Sequence, residues 1–473
     1  MKVKKLFIHT IGCQMNVYDS EKIVERLRPL GYVPDTRIES ADLAIINTCS
    51  IREKAEQKAF SFLGRLAKMK RGRPELIVGV CGCVAQQEGR RMIERMPHID
   101  FVLGTMAIDR LPAAVRKIEA HACRIVDTDL SHQIQEIPSI SATATSQEVS
   151  RFVTIMRGCD NFCTYCVVPH VRGREFSRDP EAIINEIKSL VISGTREVTL
   201  LGQNVNSYGQ KQHLCDFATL LHQISQIDGL LRIRFTTSHP KDLSDDLIAA
   251  FGSLEKLCSH IHLPVQSGSN EVLTKMKRRY TRERYLERVA MLRDACPGIS
   301  LTSDIIVGFP GETRKDFKQT RDLVEQVEFD SLFAFIYSDR PHTVSRHFSN
   351  KVAEKEKNHR LQEILALQSH ITQKIHARLQ GTVQEVLVEG YSKKQMDRNQ
   401  GPHARGTQWM GRTSGNKIVN FVPGSASVLD KDIALGKMAH VEIEKSFPHS
   451  LWGHVVRIGS GRSRAKGNKC YAA

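Results

Sequence analysis

One stretch constrains this chain more than any other. Gly158-Cys159-Asp160-Asn161-Phe162-Cys163-Thr164-Tyr165-Cys166 puts three thiols within eight residues, with aromatic rings between them. Sulfur packed this densely calls for a metal. A closed zinc site wants four ligands, usually as two Cys-x2-Cys pairs. The spacing here is Cys-x3-Cys-x2-Cys, and His170 is the one further donor in range. Three thiolates suit a cubane iron–sulfur cluster instead, and leave one of its irons open to bind and activate a small molecule. A buried three-cysteine loop, or zinc completed by a distant ligand, is the plainer alternative.

The N-terminal third reads as alternating strands and helices. Leu6–His9, Leu43–Asn47, Leu76–Val80 and Phe101–Leu103 are strand patterns. Helices are expected over Ser20–Leu30, capped by Asp19 or Ser20, over Arg52–Lys70 and over Glu88–Met96. Such alternation implies a doubly wound parallel sheet over residues 1–125. Cys13, Cys49 and Cys83 each follow a strand, 36 and 34 residues apart, close to one βαβ step. They therefore emerge together at the carboxyl edge, where open α/β sheets bind ligands. Singly, each is an ordinary buried cysteine; their shared position points to a second three-thiol cluster site. Cys81 stands two residues from Cys83 and could replace it.

Residues 126–150 are rich in Ser and Thr and read as a linker. Six strand patterns follow between 151 and 378: Phe152–Met156, Val198–Leu201, Ile233–Thr237, His260–Leu263, Leu301–Val307 and Ser331–Tyr337. Helices alternate with them, one starting cleanly at Asp179-Pro180-Glu181 and stopping at Gly194. This predicts a partial (β/α)6 barrel with its site at the strand carboxyl ends. The Cys159 loop follows the first of these strands. Polar clusters follow later ones: Gly202-Gln203-Asn204, Thr237-Ser238-His239-Pro240, Pro264-Val265-Gln266-Ser267-Gly268 and Gly308-Phe309-Pro310-Gly311-Glu312. Any one of them is ordinary loop chemistry. Val352–Leu379 is a charged, helical connector. Short strands over 379–460, including Val383–Val388, Lys417–Phe421, Ala439–Ile443 and Val455–Ile458, predict a small β-barrel of the OB type. It holds both tryptophans, Trp409 and Trp452, which serve either base stacking or core packing. Residues 461–473 form a basic tail.

Charge points to a polyanion. The formal net charge is +16 with a pI near 9.3, and from Arg378 onward 15 Lys and Arg face 7 Asp and Glu. Lysine and arginine gain affinity for phosphates by releasing counterions, so an RNA partner is expected. For Arg462-Ser463-Arg464-Ala465-Lys466 alone, a solvated tail serves equally well. No run approaches the ~18 apolar residues of a membrane span. Twelve cysteines in tight clusters, without a secretory signal, place the chain in a reducing compartment, the cytoplasm by default.

With Tyr165 before its last cysteine, the central loop resembles the cluster motif of the radical S-adenosylmethionine (SAM) enzymes, whose open iron chelates SAM. Gly12-Cys13-Gln14-Met15-Asn16, Asn47-Thr48-Cys49-Ser50-Ile51-Arg52-Glu53-Lys54-Ala55 and Gly82-Cys83-Val84-Ala85-Gln86 resemble the three signatures of the methylthiotransferase amino-terminal domain. The likeness runs over nearly the whole chain. Relatives that modify threonylcarbamoyl-adenosine carry Lys-Val-Asn after the first cysteine and those that modify a ribosomal protein Pro-Lys-Asn. Gln14-Met15-Asn16 resembles instead the branch acting on N6-isopentenyladenosine beside the tRNA anticodon.

The resemblance implies two [4Fe-4S] clusters and SAM. Cys159, Cys163 and Cys166 would hold the SAM cluster, and Cys13, Cys49 and Cys83 the auxiliary one that supplies sulfur. Gln203, Asn204, Ser238, Gln266, Ser267 and Gly308 would line the SAM pocket, and the C-terminal barrel would be a TRAM domain. The expected reaction is methylthiolation of adenine carbon 2, on a base drawn out of its stack. Expected partners are the tRNA anticodon stem-loop, an electron donor such as a flavodoxin or ferredoxin, and a sulfur or cluster donor, with no membrane. Lys277-Arg278-Arg279-Tyr280 is either an RNA contact near the barrel mouth or a solvated loop. Two rivals remain at this stage: methylthiolation of threonylcarbamoyl-adenosine, and an RNA-binding Fe–S carrier with no catalytic role.

Overall fold

A computed structural model describes residues 3–50, 53–130, 148–393, 407–424 and 432–459. Most of the expected linker and the whole basic tail lie outside the described residues. The N-terminal unit runs β1 (Lys4–Ile11), α1 (Gln14–Leu27), β2 (Tyr32–Pro34), β3 (Leu43–Thr48), α2 (Glu53–Gly72), β4 (Ile77–Gly82), α3 (Cys83–Glu88), α4 (Arg90–Arg95), β5 (Phe101–Leu103), α5 (Leu111–Ala120) and β6 (Ile125–Asp127). All pairings are parallel, in the order β2-β1-β3-β4-β5-β6. The doubly wound expectation holds, with β3 and β4 buried along their whole length, as apolar runs in the middle of a two-sided sheet should be.

Three details depart from the sequence reading. The short strands β2 and β6 were not expected, and β6 occupies the start of the stretch read as linker. The helix expected over Glu88–Met96 begins only at Arg90, after Gly89 at φ +51°, and a separate short helix over Cys83–Glu88 precedes it. Most consequential, α1 begins at Gln14 rather than Ser20, with Cys13 as its N-cap. Asn16 replaces Asp19 in the capping role: its Oδ1 accepts from the Cys13 N–H at 3.2 Å. Asp19 and Ser20 are thereby moved into the helix interior and left free for other partners.

The central unit starts with β7 (Ser150–Thr154), β8 (Met156–Arg157), α6 (Val168–Arg172), β9 (Phe176–Ser177), α7 (Pro180–Ile192), β10 (Glu197–Leu201), α8 (Phe217–Ser225) and β11 (Arg232–Phe235). It continues with α9 (Asp245–Ser253), β12 (His260–His262), α10 (Asn270–Lys275), α11 (Arg282–Ala295), β13 (Ser300–Val307), α12 (Arg314–Val327), β14 (Ser331–Ile336) and α13 (Glu354–Ala377). The start at Asp179 is confirmed, its carboxylate accepting from the Ala182 N–H at 3.0 Å. β7-β10-β11 and β12-β13-β14 form two parallel sheets, linked by a bridge between Ile233 and Leu257. No pairing among the described residues joins β14 back to β7, so the barrel is partial. Its outward-facing strand residues and the inner faces of its helices share one apolar core, from Val153 to Ile371. The helix α13 is more than a connector, because Gln368 donates to the Phe329 carbonyl at 2.6 Å and Arg360 pairs with buried Glu312 at 2.6 Å.

The last unit, β15 (Val383–Tyr391), β16 (Trp409–Thr413), β17 (Ile418–Val422), β18 (Met438–Ser446) and β19 (Leu451–Ile458), is a closed barrel in the order β15-β16-β17-β19-β18. Trp409 is core, ringed by Val386, Phe421 and Val455, whereas Trp452 is half-buried with the Lys445 ammonium 5.6 Å from its ring. This barrel docks on the amino-terminal ends of the central strands. Arg232 donates to the carbonyls of Arg412 and Glu385, Arg234 to those of Ser414 and Thr413, and Lys417 reaches Ser300 and Asp330.

Candidate active site

Sheet topology brings the first three cysteines to one edge. Cys13 follows β1, Cys49 follows β3 and Cys83 opens α3 directly after β4. Two asparagines lock the first two loops together. The Asn16 amide donates to Asn47 Oδ1 at 3.1 Å and to the Thr48 carbonyl at 3.0 Å, while Asn47 Nδ2 donates to the Asn16 carbonyl at 2.8 Å. Glycines permit the approach. A Cβ on Gly12 would lie 2.1 Å from Asn16 Oδ1, and one on Gly82, at φ +92°, would lie 2.4 Å from the Thr48 carbonyl oxygen. Cys81 takes no part. Its side chain packs with Leu6, Ile45 and Phe101 inside the sheet, and burial pushes its thiol well up.

The thiols of the trio sense one another. A hydrogen bond from Cys49 brings the Cys13 thiol down to about 6, against the opposing effect of burial, and the Arg172 guanidinium helps. Burial raises Cys83, opposed by the same Arg172. Ser50 Oγ, beside Cys49, is buried without a hydrogen-bond partner. An acceptor-rich group placed there would satisfy it.

The second trio lies on the loop between β8 and α6. Gly158, at φ +74°, turns the chain where a Cβ would stand 1.9 Å from the Arg174 carbonyl oxygen. Gln203 Oε1 accepts from the Gly158 N–H at 2.5 Å. Thr164 bonds the carbonyls of Met276 and Lys275, fixing the loop to the end of α10. Phe162 sits at φ +47°, an uncommon conformation for a bulky residue and one that the anchors on both sides hold in place. Burial pushes Cys159 up to about 11 and Cys166 to about 12. Such thiols ionise near neutral pH only when a metal takes the proton's place. His170 is exposed and tilted against His342, ring centroids 5.8 Å apart. Among the described residues no three His, Cys, Asp or Glu side chains converge on a point as ligands of one metal ion. Cubane ligands differ in that each thiolate holds a separate iron.

Arg278 was read from the sequence as an RNA contact or part of a solvated loop. It is neither. It is buried, donating to the Pro264 carbonyl at 2.7 Å and reaching Cys163 Sγ at 3.5 Å and the Tyr165 hydroxyl at 3.4 Å. Lys277 and Arg279 on either side are exposed. The alternation follows from left-handed turns at both flanking residues, φ +56° and +61°, which no sequence period announces.

The residues expected to line a SAM pocket do stand at the carboxyl ends of successive strands, but most of their polar atoms are engaged within the protein. Gln203 holds Gly158. Asn204 donates to Ser207 and Asp242, Ser267 Oγ pairs with Thr320 Oγ1 and accepts from the Ser269 N–H, and the Gly308 N–H donates to Glu312. Gln266 adopts φ +70° and ties its main chain to Asp304 and Ile306. Ser238 Oγ and Asn204 Oδ1 are the exceptions, buried without a hydrogen-bond partner. His239 Nε2, in the same cluster as Ser238, is orphaned too; sequence reasoning passed over Asn206, whose two side-chain polar atoms are likewise buried and unsatisfied. Orphaned donors and acceptors at one mouth are the mark of a site shaped for a polar ligand.

The first trio packs on the segment that follows the second. Cys83 packs against Val167, next to Cys166, and against Val171 one turn on, and Thr105 Oγ1 donates to the Val171 carbonyl at 2.6 Å. Residues 153–324 match the radical SAM superfamily, 5–104 the uncharacterized protein family UPF0004 and 377–456 the TRAM domain. The tRNA-2-methylthio-N6-dimethylallyladenosine synthase of Desulfosudis oleivorans is 54% identical over 96% of this chain and 97% of its own length. This chain belongs to the tRNA-2-methylthio-N6-dimethylallyladenosine synthase family. Another member, from Geobacter metallireducens, is 50% identical over 96% of this chain and 98% of its own. The synthase fold extends beyond the family. A solved radical SAM methyltransferase, TsrM from Kitasatospora setae, with cobalamin and a [4Fe-4S] cluster bound, covers 73% of this chain and 74% of its own at a TM-score of 0.55. At 14% identity that likeness is one of fold. As the family implies, this synthase uses [4Fe-4S] clusters and SAM.

Proposed function

We propose that this chain methylthiolates carbon 2 of N6-dimethylallyladenosine next to the anticodon of tRNA. The observation that carries the reading is the contact of Cys83 with Val167 and Val171, which sets the N-terminal thiol trio beside the loop of Cys159, Cys163 and Cys166. Two trios at one mouth suit a reaction that must both remove an unactivated hydrogen and deliver sulfur. When bound, a reduced cluster with SAM supplies a radical able to abstract that hydrogen, and the second cluster supplies the sulfur.

The protein's own residues prepare the site. Cys159, Cys163 and Cys166 would hold the SAM cluster, and Cys13, Cys49 and Cys83 the auxiliary one. Gln203 fixes the start of the central loop through Gly158, and Arg278 places a buried cation beside Cys163. Ser238, with Asn206, the Gln266 side chain and the Gly308 carbonyl, would receive the polar ends of SAM. Asn204 and Ser267 shape the same wall through their internal bonds. Partners of the reaction would be a flavodoxin- or ferredoxin-type reductant and a sulfur or cluster donor, in the cytoplasm, where the tRNA is. Among the described residues no helix is long and apolar enough to cross a membrane. The test is mass spectrometry of tRNA nucleosides from cells with and without the chain. The 2-methylthio derivative of the dimethylallyl nucleoside should disappear with it; loss of the threonylcarbamoyl derivative instead would redirect the reading.

A further inference from the structure

Only the residues from Val167 to Val171 separate the central cysteine loop from Arg172, whose side chain is directed to the element that carries the other trio's first thiol. Arg172 ends α6 with its guanidinium almost wholly buried and its Nη2 2.8 Å from Asp19 Oδ2, on a carboxylate that is entirely buried. Asp19 stands on α1, six residues beyond Cys13. The contact is an ion pair between two groups that are both withdrawn from solvent. A buried guanidinium and a buried carboxylate are each costly unless compensated. Both stand beside the same thiols: Val171, the neighbour of Arg172, packs against Cys83, and Asp19 is on the helix that Cys13 caps. Accordingly Arg172 acts on Cys13 and Cys83, and Asp19 opposes it at Cys83. The trio therefore sits beside a cation whose charge is partly cancelled by a neighbour on another element.

We infer that Arg172 and Asp19 are positioning residues of the auxiliary site, Arg172 supplying the buried positive charge that favours the reduced cluster and Asp19 limiting it. The inference rests on the reading that Cys13, Cys49 and Cys83 hold that cluster. It predicts opposite signs. Reduction adds a negative charge, so removing the cation lowers the midpoint potential, and neutralising the carboxylate raises it. A role confined to packing would have no such signature.

The test uses the full chain carrying Cys159→Ala, Cys163→Ala and Cys166→Ala, reconstituted anaerobically with iron and sulfide, so that one cluster is titrated. Iron analysis checks the underlying reading first: this background must itself hold about four irons, and if it holds none the ligand assignment fails rather than the inference. Into it go Arg172→Met, Arg172→Lys and Asp19→Asn, each followed by a redox titration monitored by electron paramagnetic resonance. The expected result is a lower potential for Arg172→Met, a higher one for Asp19→Asn and little change for Arg172→Lys. If Arg172→Met retains no iron, Arg172→Lys decides, and full occupancy by the lysine variant supports the charge role. Shifts of the same sign, no shift at full occupancy, or loss of iron from Arg172→Lys as well would overturn it.

Discussion

Asn16 and Asn47 exchange hydrogen bonds across the first two cysteine loops, Nδ2 to Oδ1 at 3.1 Å one way and Nδ2 to main-chain carbonyl at 2.8 Å the other. Both side chains are fully buried. The pair sets the distance between Cys13 and Cys49 before any cofactor arrives, and the glycines at 12 and 82 exist to let it form.

Replacing Asn47 by Ala should therefore cost more than its size suggests. It leaves one of the two Asn16 amide N–H groups without its partner in the interior, the other staying on the Thr48 carbonyl, a penalty of ~1–3 kcal/mol, and loosens the trio. Thermal unfolding should show the loss of stability, and iron should fall from about eight toward about four per chain. Unchanged iron content would mean that the thiols find their places without the pair.

Cys49→Ala should uncouple the half-reactions. Formation of 5′-deoxyadenosine from SAM should persist, because the central loop is held by Gln203, Met276 and Lys275 and not by Cys49. Methylthio product should vanish. Product formed at a full iron complement would return Cys49 to a packing role.

Gly158→Ala should do the reverse. It combines an unfavourable φ of +74° with a clash at 1.9 Å against rigid backbone, and the central loop should lose its iron and its SAM cleavage while the N-terminal trio keeps about four irons. Gly31→Ala is the control: its φ of +81° and ψ of +13° are left-handed, but nothing lies within 4 Å of the added carbon, so it should cost no more than the ~1–2 kcal/mol of a left-handed alanine and leave both trios their iron.

In metal-free protein at pH 7, iodoacetamide should label Cys13 first. Its thiol is lowered to about 6 and so is largely thiolate at that pH, whereas Cys159 and Cys166, at about 11 and 12, stay protonated. Peptide mass spectrometry at early times reads the order. As pH falls through 6 the advantage of Cys13 should fade.

Removing the chain after Leu379 is a poor test of RNA binding. It would expose Arg232, Arg234 and Asp330 where the C-terminal barrel now covers them, and melting should drop along with SAM cleavage. Trp452→Ala and Lys445→Glu should leave melting and SAM cleavage unchanged. If the half-buried ring and its cation meet RNA, both variants should weaken tRNA binding, and Lys445→Glu should also reduce its salt dependence. Wild-type affinity in both variants would move the RNA contacts off this face.

The local pattern of the chain determined a great deal. Strand runs of four or more residues, the spacing of Cys13, Cys49 and Cys83 at one βαβ step, the start at Asp179 and the three-cysteine loop all follow from periodicity and covalent spacing, which adjacent residues carry within themselves. Very short strands such as β2 and β6 have too few residues to show a period. What adjacent residues cannot carry is long-range pairing. Asp19 looked like a helix cap and became the counter-ion of Arg172, a hundred and fifty-three positions away. Arg278 looked like surface and lies under Cys163. Gln203 and Asn204 read from the sequence as ligand contacts, and in the fold they also brace Gly158 and Asp242. In each case the partner belongs to a different element, and only packing brought the two close enough for burial to make the pairing obligatory.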